Sequence, residues 1–260
     1  MWDALAQWTL LDDGPTLLAA CVAVALVGLS KGGMGGAFAL MGVPILALVM
    51  SPVQAAALLL PVLLMMDAVG LWTWRGYFDR ATLRALLPGA IVGIVIAALT
   101  AAITSEAAVR LLVGLVAVGF VARLVLARAT AIARPHNALR GGVWGAAAGF
   151  TSFVAHAGGP PFQVYVLPLR LDPRIYTGTS VIFFAVVNVI KVAPYAALGQ
   201  FSAPVLGSAL VMLPLAVAAT LAGAAIVRRM RAEVFYPFMY TMVALVGLKL
   251  IWDGARAILL

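Results

Sequence analysis

Five stretches of the chain, 54–74, 83–103, 107–127, 175–198 and 204–227, each run for about 20 residues with almost unbroken apolar character. At about 1.5 Å per helical residue, each is long enough to cross the ~30 Å hydrocarbon core of a bilayer. The composition agrees. Of 260 residues, 65% are hydrophobic and 10% are charged, and the mean hydropathy is +1.11. A soluble domain is nearer half apolar and a quarter charged. A soluble enzyme, a disordered chain and a disulfide scaffold are excluded, and an all-α polytopic membrane protein is expected. The single Cys21 rules out an intramolecular disulfide, and His136 and His156 lack zinc-ligand spacing. No cofactor is expected. The net charge of +8 lies mostly between the apolar segments, so it reads as topology rather than nucleic-acid binding.

Other apolar segments are shorter: 16–30, 37–50, 141–156 and 161–169, with 235–252 closing the series. Residues 1–15 carry Asp3, Asp12 and Asp13 and no Lys or Arg, which reads as an amphipathic lead-in and not a secretory signal peptide. Arginines gather in alternate connections: Arg75, Arg80 and Arg84; Arg123, Arg128, Arg134 and Arg140; Arg170 and Arg174; Arg228, Arg229 and Arg231. The opposite connections, 51–53, 104–109 and 199–203, carry no Lys or Arg before Arg110. The positive-inside rule makes the Arg connections cytoplasmic and both termini periplasmic. Trp72, Trp74, Trp144 and Trp252, with Tyr77, fall near span ends and read as interfacial anchors.

The chain also repeats itself. GLSKGGMGGAFALMGVP (28–44) aligns with GFTSFVAHAGGPPFQVYVLP (149–168), with gaps. Pro52 matches Pro173, and Asp67 and Asn188 each follow 15 residues later. Pro88 pairs with Pro214 and Glu106 with Glu233. The expected organisation is a lead-in (1–15), a first transmembrane repeat (16–127), a basic linker (128–140) and a second repeat (141–260). With about five segments each, the halves should run in opposite directions, the inverted-repeat plan of many secondary transporters.

Both halves are interrupted at the matching place. Gly32, Gly33, Gly35 and Gly36 disfavour continuous helix after Lys31. Gly158, Gly159 and Pro161 do the same after His156. Each break therefore looks like the start of a short or re-entrant half-helix near the midplane. Such a start has free N–H groups and partial positive charge, and suits an anion. Close helix packing is the competing explanation for the glycines. Intramembrane polar residues are few and costly, hence candidates for function. Ser30 and Lys31 adjoin the first break. Thr151, Ser152, His156 and Gln163 adjoin the second. Asn188 and Lys191 share a helix face. Asp67 could pair with a lysine or carry a proton, and His156 is a further proton-coupling candidate. Against these stand a purely structural Asp67–lysine pair, a snorkelling Lys191 and a satisfied interior His156.

The segment GLSKGGMGGAFALMGVPILALVMSPVQAAALLLP resembles the N-terminal signature of the sulfite exporter TauE/SafE family. GFTSFVAHAGGPPFQVYVLP, followed by TGTSVIFFAVVNVIK, resembles that family's second half, so the resemblance spans most of the chain. It implies transport of sulfur-containing anions such as sulfite or organosulfonates across the bacterial inner membrane. The expected partners are a small anionic substrate and the lipid bilayer, with a homodimer compatible and no nucleic acid. No GxxxxGK[ST] motif is present, so transport should be secondary or facilitated, and alternating access around a site between the two repeats is expected. The rival readings are a cation or proton-coupled transporter using Asp67, an intramembrane enzyme using Ser152 and His156, and a structural scaffold.

Overall fold

A computed structural model describes residues 8–34, 39–101, 103–126, 133–197 and 199–259. Gly35, Gly36, Arg128 and the first part of both the lead-in and the basic linker lie outside them. The described residues form helices and no strand. In chain order these are α1 (Gly14–Leu29), α2 (Gly42–Leu46), α3 (Pro52–Thr73), α4 (Arg80–Thr100), α5 (Glu106–Leu126), α6 (Ala138–Ala155), α7 (Gly159–Val166), α8 (Pro173–Ala197), α9 (Ala203–Arg229) and α10 (Ala232–Leu259). Among the described residues, six helical stretches are long and apolar enough to cross a membrane: Gly14–Gly33, Gln54–Thr73, Arg80–Thr100, Pro173–Ala197, Ala203–Arg229 and Ala232–Leu259. The first is longer than its sequence suggests. Asp13 caps α1 by accepting the Thr16 N–H at 2.7 Å, and a turn of π-helix (Ser30–Met34) carries the chain past Leu29.

The chain packs as two units. One comprises Met1–Gly76 and Ser180–Arg229, the other Tyr77–Thr179 and Met230–Leu260. Each takes helices from both sequence halves, so the repeat and the packing divide the chain differently. In the first unit α9 packs along α1 and α3. Leu11, Val24, Leu58, Met66 and Met212 are buried in its core, and the Leu10 N–H donates to Ser208 Oγ of α9 at 2.7 Å. In the second unit α4 packs along α6, and α5 along α10. Under the repeat α1 corresponds to α6 and α9 to α4, so the α1–α9 pair of one unit is the counterpart of the α6–α4 pair of the other.

Glycine decides these contacts. A Cβ at Gly89 would lie 2.0 Å from the Gly142 carbonyl oxygen, and one at Gly93 would lie 2.0 Å from that of Ala146. From the α6 side, a Cβ at Gly145 would reach 2.1 Å from the Leu86 oxygen, and one at Gly149 would reach 2.2 Å from that of Ala90. The two backbones therefore touch along a seam of small residues spaced four apart, as membrane helices do when packing alone must hold them. At α1–α9, Gly28, Gly32 and Gly223 play the same part.

Within the second unit the Arg-bearing connections meet at one end. His136 Nε2 lies 2.7 Å from Asp79 Oδ2, the Arg134 N–H donates to the Pro168 carbonyl at 2.9 Å, and the Tyr236 hydroxyl donates to the Leu171 carbonyl. That common end is what the positive-inside rule requires of these loops. Asp79 also caps α4, accepting from the Thr82 N–H at 2.7 Å and the Thr82 hydroxyl at 2.5 Å. Burial raises the Asp79 carboxyl, but the Thr82 and His136 hydrogen bonds and the His136 charge outweigh it and hold the group below its usual range. A depressed carboxylate stabilises the fold above its ordinary pKa of about 4 and loses that contribution as pH falls through the depressed value. Asp79→Ala should thus cost about 1 kcal/mol near neutral pH, the worth of a cap. Thermal denaturation in detergent should show the gap to wild type closing as pH is lowered to about 3. A gap that stays constant over that range would remove the carboxylate from the explanation.

Candidate functional site

The first break turns on Gly33, whose φ of 133° lies in the region that favours glycine. The residues beside it are pinned from two sides. Gly32 faces α9 so closely that a Cβ would lie 2.4 Å from the Thr220 carbonyl oxygen. Its own carbonyl accepts from the Trp74 indole N–H at 3.2 Å. Trp74, expected at the membrane interface, is instead buried, while Trp72 and Trp252 are exposed. Packing therefore accounts for Gly32. Beyond the break the half-helix α2 has only five residues.

Holding this turn in place sends Lys31 toward α3. Its Nζ lies 2.5 Å from Asp67 Oδ1, and the other carboxylate oxygen accepts from Asn188 Nδ2 of α8 at 2.6 Å. Residues 67 and 188, matched in the repeat, thus touch each other. The Lys31 ammonium also lies 5.6 Å from the centroid of the Phe184 ring. Lys191 is 1% exposed and close enough for the charges of Lys31 and Asp67 to act on it. Phe184, Asn188 and Lys191 follow one another at helical spacing, so all three share a face of α8. Phe184 is the member that the reading of polar residues overlooked. The stripe ending at Asn188 and Lys191 was the signal that could have found it. Ser30 is buried beside the cluster's first lysine in sequence.

Two lysines, one carboxylate and one amide in the interior of apolar helices form a site rich in donors. Both oxygens of Asp67 are occupied by donors from the protein, which is poor chemistry for a cation. Among the described residues no group of three or more His, Cys, Asp or Glu side chains could hold a metal.

The second break belongs to the other unit. His156 ends α6 in the left-handed conformation, with φ 51°, and its N–H bonds the Thr151 carbonyl. Thr151 is committed to this turn: its hydroxyl donates to the Ala147 carbonyl at 2.7 Å, and its carbonyl also accepts the Ala157 N–H at 3.0 Å. Helix α7 then starts at Gly159, two residues before the 161–169 segment read from the sequence, with Gly158 as its cap residue. Pro160 and Pro161 have no N–H, and the Phe162 N–H bonds the Gly158 carbonyl at 3.3 Å. Fewer backbone donors are left at this start than an ordinary helix offers. Ser152 and Gln163 are buried, and Gln163 shares a hydrogen bond with Tyr176.

Of the residues singled out in the sequence, the structure joins Lys31, Asp67, Asn188 and Lys191 in one cluster of the first unit. Thr151, Ser152, His156, Gly158, Gly159 and Gln163 are neighbours in the second. No curated protein and no solved structure matches the chain. A model of the family described as sulfite exporter TauE/SafE matches residues 20–250, a range that includes both helix breaks and all four residues of the buried cluster. With most of its length matched, this multi-pass membrane protein belongs to the sulfite exporter TauE/SafE family, a family of transporters and not of enzymes.

Proposed function

We propose that the protein is a secondary exporter of small sulfur oxyanions, sulfite or an organosulfonate, across the bacterial inner membrane, with both termini periplasmic. The observation that carries this reading is the buried Lys31–Asp67–Asn188 cluster with Lys191 beside it, in a chain of the sulfite exporter family. Asp67 holds Lys31 in place, Asn188 holds Asp67, and the excess of ammonium over carboxylate favours an anion. Ammonium groups and amide N–H groups are suitable donors to the oxygens of a sulfonate or sulfite. Contact between two repeat-matched residues supports a place on the axis relating the halves, where transporters of this plan bind their substrates. Alternating access would expose the cluster to each side of the membrane in turn. Ser30 at the first break is a further substrate-contact residue of the cluster's unit; Ser152, His156 and Gln163 are the corresponding residues at the break of the other unit.

The test is ligand-induced thermal stabilisation of the purified protein in detergent, using sulfite, sulfate, taurine, sulfoacetate, chloride and divalent cations. A ligand present at 100 times its Kd should add about 2.7 kcal/mol to the native state. One sulfur oxyanion should raise the melting temperature, and Lys191→Met should remove that shift. Stabilisation by divalent cations alone would overturn the anion site and turn attention to Asp67 as a cation ligand.

A further inference from the structure

A second polar site lies at the Arg-bearing end of the first unit. Thr73, the last residue of α3, is 8% exposed, and its hydroxyl has no hydrogen-bond partner. Four other buried hydroxyls, those of Thr151, Thr179, Ser208 and Thr220, bond a carbonyl one turn back at 2.7 Å, whereas Thr177 shares the unpartnered state of Thr73 but does not line the cavity described next. Leaving a buried hydroxyl unsatisfied is costly, so an orphan of this kind calls for an explanation. Thr73 lines a cavity of about 300 Å³ between α3 and α9. Arg75 and Arg228 line it too, and no carboxylate does. Arg228 donates through Nη2 to the Thr73 carbonyl at 2.5 Å and stacks on Trp74 at 5.3 Å. Arg75 sits over Trp72 at 6.0 Å. The cavity thus presents two guanidinium groups and a hydroxyl, the donor set for a phosphate oxyanion.

Its surroundings specify the kind of phosphate. Two of its walls, Trp72 and Leu221, are exposed on the apolar flank of spanning helices, where lipid lies. Farther along the same two helices runs an apolar groove of about 490 Å³, walled by Leu64 and Ala68 of α3 and Leu210 and Leu213 of α9. Leu64, Ala68 and Trp72 follow at spacings of four, so groove and cavity share one face of α3, with Arg75 in the turn just beyond its end. Ala68 and Trp72 are one turn apart, about 6 Å along the axis. A cationic cavity at the span end followed by an apolar groove toward the interior matches an anionic headgroup followed by its acyl chain.

We propose that this α3–α9 seam binds an anionic membrane phospholipid, with the phosphate held by Arg75, Arg228 and the Thr73 hydroxyl and an acyl chain in the groove. Basic pockets between membrane helices are suited to such headgroups. The site shares no residue with the buried lysine cluster, so it stands or falls independently of the transport reading.

The experiment titrates the delipidated, detergent-purified protein with dioleoyl phosphatidylglycerol, dioleoyl phosphatidylcholine or inorganic phosphate, and reads both melting temperature and bound lipid by native mass spectrometry. Phosphatidylglycerol should stabilise at concentrations about tenfold lower than phosphatidylcholine, and inorganic phosphate should not stabilise. Without lipid, Arg75→Gln, at an exposed position, should melt like wild type, and Thr73→Val, nearly the same size and free of the unpartnered hydroxyl, should melt at or above it. Each should bind phosphatidylglycerol about tenfold more weakly. Equal effects of the two lipids, stabilisation by inorganic phosphate, no stabilisation by any probe, or unchanged lipid binding in both variants would each overturn the proposal.

Discussion

Asp67→Ala should be the most damaging truncation in the buried cluster, costing about 3–5 kcal/mol. The carboxylate is 3% exposed and receives both Lys31 and Asn188. Removing it leaves Lys31 in an apolar interior without the counter-charge that lies 2.5 Å away, and withdraws the opposing charge from the neighbourhood of Lys191. A buried ion pair is costly to break but need not add stability over an apolar pair of similar size. The double variant Lys31→Met/Asp67→Leu should therefore recover much of the lost melting temperature. It should nonetheless show no stabilisation by a sulfur oxyanion and no flux in proteoliposomes. If the double variant melts as low as Asp67→Ala, the ion pair is not the source of the loss. If it still transports, the cluster is structural only.

The second large effect is expected at the α4–α6 seam. Gly93→Val would drive a side chain into the Ala146 backbone, since its first carbon alone would sit 2.0 Å from the carbonyl oxygen. Backbone cannot step aside as a flexible side chain can, so the helices must separate along their length. Overpacking a well-filled interior typically costs about 1–3 kcal/mol, and a clash with main chain should reach or pass the upper end. Gly119→Ala in α5 is the matched control. Nothing lies within 4 Å of a Cβ there, so the change should be neutral or should gain up to about 1 kcal/mol from better helix propensity. Melting temperatures and yields in detergent decide the matter. A Gly93→Val protein as stable as Gly119→Ala would mean that the seam does not hold the unit together.

Four of the six spans, at 54–73, 80–100, 173–197 and 203–229, and the two interruptions were legible in the amino-acid order, because each follows from a local property. The spans at 14–33 and 232–259 run past the shorter apolar segments that mark them, and the expected span at 107–127 is not among the six. Apolar length measured against bilayer thickness gives a span, and clustered glycine and proline break a helix wherever they occur. The repeat likewise marked Asp67 and Asn188 as counterparts. What could not be read was which partner each polar group chooses. Lys31 and Lys191 were equally plausible mates for Asp67 by residue type. The tertiary structure brings Lys31 to it across 36 residues and Asn188 across 121. That choice depends on how helices rotate about their axes, and the rotation is set by backbone contacts such as Gly32 against Thr220. Trp74 shows the same limit. Its position at a span end suggested the interface, but packing turns it inward onto the Gly32 carbonyl. The allocation of helices to units was also hidden, since α4 packs on α6 and α1 on α9 across the midpoint of the chain. Composition and spacing determine which segments enter the membrane. The close approach of backbones, possible only once the glycines of two distant helices face each other, decides which side chains meet there.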